Sequence, residues 1–287
     1  MMMNNDMRKL RHMPLHILAL RTLIVLCLLA LLALYIFPLL WVALSGFKTS
    51  RELFLSSFSF PSSFNFENFT GVWRVGISQY YLNSILITVV SCLLTTLFAA
   101  MAAYPLSRYR FRGKRFWFMF LLCGLMLAPQ VSLISNYKLL QTLHLYDTYW
   151  ALFLTYTAFR IPFTMFLMWS FFCKLPKEVE EAAAIDGCSS FRTFWSIVMP
   201  MSKPAIATSL LLTARYVWND FMFSLVFTES TSMRTIPYGL YSLRGESGTN
   251  WGYLLAGMTM AALPMIILYL CAQKQFVRGL SAGSVKG

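Results

Sequence analysis

Six apolar runs, each close to the length that crosses a lipid bilayer, constrain this chain more than any other feature. A span needs about 20 predominantly apolar residues. The runs Thr22–Ser45, Ser84–Tyr104, Phe116–Ile134, Trp150–Cys173, Ala205–Phe227 and Leu254–Cys271 meet that length. With 58% hydrophobic and 12% charged residues, the chain is neither an ordinary soluble domain nor a disordered one. The fold class expected is an all-α integral membrane protein of about six transmembrane helices. The first run is longer than the apolar stretch of a signal peptide and continues into Pro38 and Trp41 without a small-residue cleavage site, so it is read as retained. The organisation expected is an N-terminal segment 1–21, a transmembrane domain 22–275 holding a polar loop 174–204, and a tail 276–287.

Orientation follows from the basic residues. If the N-terminus lies inside, the inner segments hold sixteen lysines and arginines, including Arg8, Arg108, Lys114, Lys177 and Arg278, against six outside. The positive-inside rule therefore puts both termini and the loop 174–204 in the cytoplasm. The net charge of +13 is accounted for by basic loops beside anionic lipid, so no nucleic-acid partner is expected. The six cysteines lie in or beside the spans without a C-x-x-C pair, and the three histidines are scattered. No metal site, catalytic constellation or phosphate-binding G-x-x-x-x-G-K-[ST] loop is found. The spans also lack the acidic and histidine relay common in proton-driven carriers. Energy for any transport would have to come from another subunit.

The loop itself carries the sharpest pattern, EAAAIDGCSSFRTFWSIVMP over 181–200. Pro176 suits the start of a helix, and Glu178, Glu180 and Glu181 then sit near the positive end of its dipole. Val179, Ala182, Ala183 and Asp186 follow helical spacing and make a small, nearly flat face. Asp186-Gly187 reads as a turn in which glycine takes left-handed angles. Phe191, Phe194 and Val198 then mark a second short helix. The alternative, from periodicity alone, is an ordinary helical hairpin at the membrane surface.

Residue by residue, this stretch resembles the "EAA" loop of permease subunits in bacterial ATP-binding-cassette (ABC) importers. Glu181, Ala182, Ala183, Asp186, Gly187, Ile197 and Pro200 fall on the pattern, with Met199 where leucine is usual. Further on, Trp218-Asn219-Asp220-Phe221, Trp251-Gly252, Ala262-Leu263-Pro264 and the ending GLSAGSVKG resemble sugar-importing permeases of the maltose-transporter type. The resemblance implies a type I ABC importer permease fold in a bacterial inner membrane. It implies a heterodimer with a second permease, two copies of a cytoplasmic ATPase that binds ATP and magnesium, and an external solute-binding protein. It also implies that the loop residues named above form a coupling helix seated in the ATPase, that Gly283, Val285 and Lys286 of the tail reach toward the ATPases, and that this chain holds no cofactor.

Charges inside spans are costly and mark function by default. Here they are Arg160, Arg215 and Asp220. Arg160, Arg215, Asn219 and Asp220 are the candidates for lining a substrate path. The alternative is that the arginines bond backbone carbonyls, or that Arg215 pairs with Asn219 or stacks on Trp218. Two arginines near mid-span favour an anion that accepts two hydrogen bonds, and so lean toward an acidic, uronate-type oligosaccharide over a neutral sugar. A permease for a non-sugar solute such as a glycerophosphodiester is the alternative, and a membrane enzyme a more distant one.

Overall fold

The computed structural model describes residues 15–245 and 248–284. Four helices are long and apolar enough to cross a membrane, and two bent helix pairs bring the total to six if each pair is one span. The first long helix, α1 (Leu15–Ser45), stands apart from the bundle, with none of its most apolar window buried. Its ring contacts with the rest, among the described residues, lie toward its C-terminal end, where Phe37 and Trp41 meet Phe58. There Asn68 donates from Nδ2 to the carbonyls of Gly46 and Lys48, and the buried Lys48 ammonium donates to the carbonyls of Ser56 and Ser57. Between these anchors lie α2 (Ser50–Leu55) and α3 (Glu67–Val72), which runs through a π-helical turn, Trp73–Ile77, into α4 (Ser78–Arg108).

The centre of the bundle is the pairing of α4 with α7 (Tyr149–Phe172). A stripe of small residues on α4, among them Ser84, Thr88, Ser91, Thr95, Ala99 and Ala103, is buried, which lets two backbones approach closely. Around this pair lie α5 (Lys114–Cys123), α6 (Leu133–Thr142), α11 (Lys203–Asn219), α12 (Met222–Phe227), α13 (Ile236–Ser242) and α14 (Trp251–Ser284). The loop holds α8 (Glu178–Ile185), α9 (Ser190–Thr193) and α10 (Met199–Met201). One two-stranded hairpin, β1 (Arg244–Gly245) with β2 (Gly248–Thr249), precedes α14.

Two of the expected spans are not single helices. The run Phe116–Ile134 ends its helix at Cys123, passes through a 3₁₀ turn Gly124–Met126, and resumes beyond Pro129 with the two arms bent by 91°. Ala128, preceding proline, is extended at φ −68°, ψ 127°, as the clash with the proline ring requires. Gly124 lies so close to Pro162 of α7 that an added Cβ would sit 2.7 Å from its Cγ. The run Ala205–Phe227 likewise breaks at Asp220, extended at φ −73°, ψ 127°. Its carboxylate accepts from the Phe223 N–H at 2.9 Å and so satisfies one of the free amides that open α12.

Away from the loop, α6 and α7 are joined by a turn containing Asp147, with φ +56°. Asp147 accepts from the Glu229 and Ser230 N–H groups and from the Ser230 hydroxyl, tying this turn to the segment after α12. Burial raises its pKa, but these hydrogen bonds outweigh it and hold the carboxyl below the ordinary aspartate range.

Candidate functional site

The polar loop forms as a helical hairpin hung from the bundle. Glu178, Glu180 and Glu181 occupy the first turn of α8. After α8 the chain closes in a Schellman motif, with Cys188 N–H donating to Ala183 C=O at 2.9 Å and Gly187 N–H to Ala184 C=O at 3.1 Å. The motif needs a left-handed residue at its turn, and Gly187 has φ +79°. Nothing in the chain lies within 4 Å of an added Cβ there, so glycine answers the backbone angle and not a local clash. Ser189 then caps α9 by accepting from the Arg192 N–H. The π-helical turn Phe194–Val198 follows, with Met199 N–H reaching back to Phe194 C=O. Pro200, lacking an N–H, leaves the α-helical partner at Ser196 unmade.

The anchor is Glu180, one residue before the matched Glu181. Its carboxylate lies 2.6 Å from the Arg108 guanidinium, with the two side chains only 16% and 6% exposed. It also accepts from the Tyr104 hydroxyl at 3.0 Å, while Arg108 donates to Leu175 C=O at 3.1 Å. The flat face expected on α8 divides accordingly. Ala183 is buried against the bundle, whereas Val179, Glu181, Ala182 and Asp186 are exposed. Ile185 is 87% exposed. In the second half of the loop Phe194 and Val198 are buried and Ile197 half-buried, but Phe191 and Pro200 face outward.

The four mid-span candidates come together. A cavity of about 550 Å³ opens between α7 and α11, lined by Arg160 and Phe163 from one and by Leu212, Arg215, Tyr216, Asn219 and Asp220 from the other. The break at Asp220 turns that residue onto the same side as Arg215, which a continuous helix would not. Asp220 accepts from the Tyr156 hydroxyl at 2.9 Å. The Arg160 guanidinium lies between two rings, 5.0 Å from Phe163 and 4.9 Å from Tyr216, and its Nε is buried without a hydrogen-bond acceptor. Arg215 does not take the alternatives weighed for it. The Asn219 amide donates to the Arg215 carbonyl, and the Trp218 indole donates to Ala261 C=O while its ring meets Tyr81 edge-on. Neither arginine is paired with a carboxylate among the described residues. Arg215, Leu212 and Asn219 also border a second, apolar cavity of about 540 Å³ against α14 and Leu39 of α1.

Sequence reasoning missed the Arg108–Glu180 pair and the ring contacts of Arg160. The first carries a weak signal, a basic cluster opening at Arg108 opposite the glutamates Glu178, Glu180 and Glu181; of the second, the Phe163 contact is readable as an i, i+3 pair on one helix, whereas the Tyr216 contact carries no signal because that residue is distant along the chain. Of the tail candidates, the backbone of Gly283 belongs to the end of α14, while Val285 and Lys286 lie outside the described residues.

Residues 94–281, which contain both the loop and the cavity, match a family described as binding-protein-dependent transport system inner membrane component. The chain is 51% identical over 251 residues to a probable ABC transporter permease protein, YurM, of Bacillus subtilis strain 168, covering 88% of this chain and 84% of that one. It is 35% identical over 257 residues to the trehalose/maltose transport system permease protein MalG of Thermococcus litoralis, covering 88% and 92%. In structure it is similar to a chain of a bacterial ABC transporter involved in the import of the acidic polysaccharide alginate, with a TM-score of 0.79 and 23% identity over 91% of this chain and 97% of that one.

Proposed function

Since the chain belongs to the family of binding-protein-dependent transport system inner membrane components, we propose that it forms half of the translocation path of an ATP-driven importer for a sugar or oligosaccharide. The second half is another permease, against which the exposed α1 and the apolar cavity beside α14 pack. Two cytoplasmic ATPases bind ATP and magnesium, and an external solute-binding protein delivers the cargo. The chain is a translocation component and not itself a catalyst. The basic bias of the loops puts both termini and 174–204 on the cytoplasmic side, with the tail around Gly283, Val285 and Lys286 directed to the ATPases. The trehalose/maltose relative favours a sugar over the glycerophosphodiester alternative.

The observation that carries this reading is the hairpin itself, held to α4 by a nearly buried ion pair while Val179, Ala182, Ile185, Asp186 and Phe191 stand exposed. A coupling element needs both a stiff root and a free face. Glu181, Ala182, Ala183, Asp186, Gly187, Ile197 and Pro200 build it, and Arg160, Arg215, Asn219 and Asp220 line the path. Purification with the natural partners tests this. An ATPase and a second permease should co-purify, and the reconstituted complex should hydrolyse ATP faster when the external binding protein is added. A chain that purifies alone, or hydrolysis indifferent to the binding protein, would refute the assignment.

A further inference from the structure

Resting on the permease reading, we propose that the cavity between α7 and α11 is an anion-recognising subsite, and that the carbohydrate it passes carries a carboxylate or an equivalent oxyanion. The cavity holds two guanidinium groups and one carboxylate, and the carboxylate already accepts from the Tyr156 hydroxyl and the Phe223 N–H. Its positive charge is therefore in surplus. The Arg160 guanidinium carbon lies 5.0 Å from the Phe163 ring and 4.9 Å from the Tyr216 ring, and its Nε is buried and unpaired. Ring contacts of this kind stabilise the cation without supplying acceptors to its N–H donors. An oxyanion that accepts two parallel hydrogen bonds matches such a donor set. A neutral hydroxyl meets it with a single weaker acceptor.

The remaining lining suits a sugar. Leu212, Phe163 and Tyr216 add apolar surface to the lining, of the kind that suits the C–H face of a pyranose. The Asn219 side chain spends its amide on the Arg215 carbonyl and keeps its oxygen free to accept from a sugar hydroxyl. The volume of about 550 Å³ falls within the range of about 300–1,000 Å³ typical of small-molecule sites.

The test uses the complete importer with its partner subunits, reconstituted in phosphatidylcholine vesicles so that no anionic lipid headgroup competes for the site. Leu212→Cys places a reporter thiol on the cavity wall, and mass spectrometry follows modification at position 212. Relative to a free thiol in solution, the anionic sulfonatoethyl methanethiosulfonate should be favoured about tenfold over its cationic trimethylammonium counterpart, and that preference should disappear or reverse when Arg160→Gln and Arg215→Gln are combined, which leaves Asp220 as the charge on the lining. Glucuronate should slow the reaction more than glucose at equal concentration. An unchanged preference in the double variant, or no reaction at position 212, overturns the subsite. Protection by neither sugar, or equally by both, overturns the acidic cargo. Stimulation of ATP hydrolysis by the external binding protein is read on the same vesicles. If that response is missing the permease reading fails, whatever the labelling shows.

Discussion

Glu180→Gln should loosen the coupling hairpin without disturbing the spans. The substitution keeps the size of the side chain and an oxygen able to accept from Tyr104 or Arg108, so it removes charge and little else. With N···O at 2.6 Å, the charge centres lie about 4 Å apart, where the Coulomb attraction at an effective dielectric constant of 20 is about 4 kcal/mol. Removing the carboxylate charge also removes the cost of having drawn it out of water, which offsets about half of that for a nearly buried pair. About 2 kcal/mol of docking remains at stake, or about thirtyfold in the equilibrium between docked and undocked hairpin.

Hydrogen exchange reads that equilibrium directly. A helix of eight residues is unstable alone in water, so protection of the α8 amides reports docking through the buried Ala183 and the ion pair. The expected result is exchange about thirtyfold faster at Glu181–Ile185, with the amides of α4 and α7 unchanged. Arg108→Gln should do the same, and the two together should add little to either alone. Exchange within twofold of wild type, or effects of the two substitutions that simply add, would refute the pair as the root of the hairpin. Under the coupling proposal, uptake per ATP hydrolysed falls in the same variants.

Gly187→Ala forces a Cβ into φ +79° and should cost about 1 kcal/mol locally. Gly187→Val should cost more, and both should leave membrane insertion intact while lowering uptake per ATP, as measured in proteoliposomes. Cys188 is half-exposed, and a membrane-impermeant thiol reagent should label it in inside-out vesicles but not in intact cells; labelling from outside would invert the orientation. Asp147 is depressed in the folded state, so its contribution is present above the unfolded value of about 3.9 and lost as pH falls through the lower folded one. After correction for intrinsic rates, exchange at the Glu229 and Ser230 amides should be flat from about pH 8 to 5 and rise below about 4, and Asp147→Asn should abolish that rise.

The apolar runs and the Gly187 turn were legible because each is set by local sequence. Helix length follows from hydropathy, and a left-handed closure follows from Asp-Gly after an alanine-rich helix. The two breaks were legible in principle and hidden by hydropathy. Gly124 followed five residues later by Pro129, and Asn219-Asp220 inside an apolar run, are ordinary stop signals, but a hydropathy window averages them away. The ion pair was not legible. Glu180 and Glu181 are equally acidic neighbours in the same helical turn, and which of them meets Arg108 depends on the rotation of α8 against α4, a contact across 72 positions of chain. The same holds for Arg160, whose neighbour Tyr216 comes to it only because α7 and α11 pack side by side.

That packing also shows how a movement at the loop would reach the cavity. Phe194 and Val198 of the hairpin lie in one buried cluster with Ala99, Ala103 and Tyr104 of α4 and with Met165, Met168 and Phe172 of α7. Met165 is five residues along α7 from Arg160, with Pro162 between them. A close-packed apolar contact transmits displacement because its atoms have no room to yield, so the hairpin, α4 and the loop end of α7 move as one body. The opposite wall is packed as well, but around a break. Beyond Asn219 the helix stops, and the Asp220 carboxylate accepts from Tyr156 and the Phe223 amide, while Val217, Phe223 and Phe227 lie in a second buried cluster with Leu152, Tyr156 and Ile87. Packed contacts of this kind switch between discrete arrangements rather than deform continuously, and Pro162 and Asp220 are the points in the two walls at which helical hydrogen bonding is interrupted.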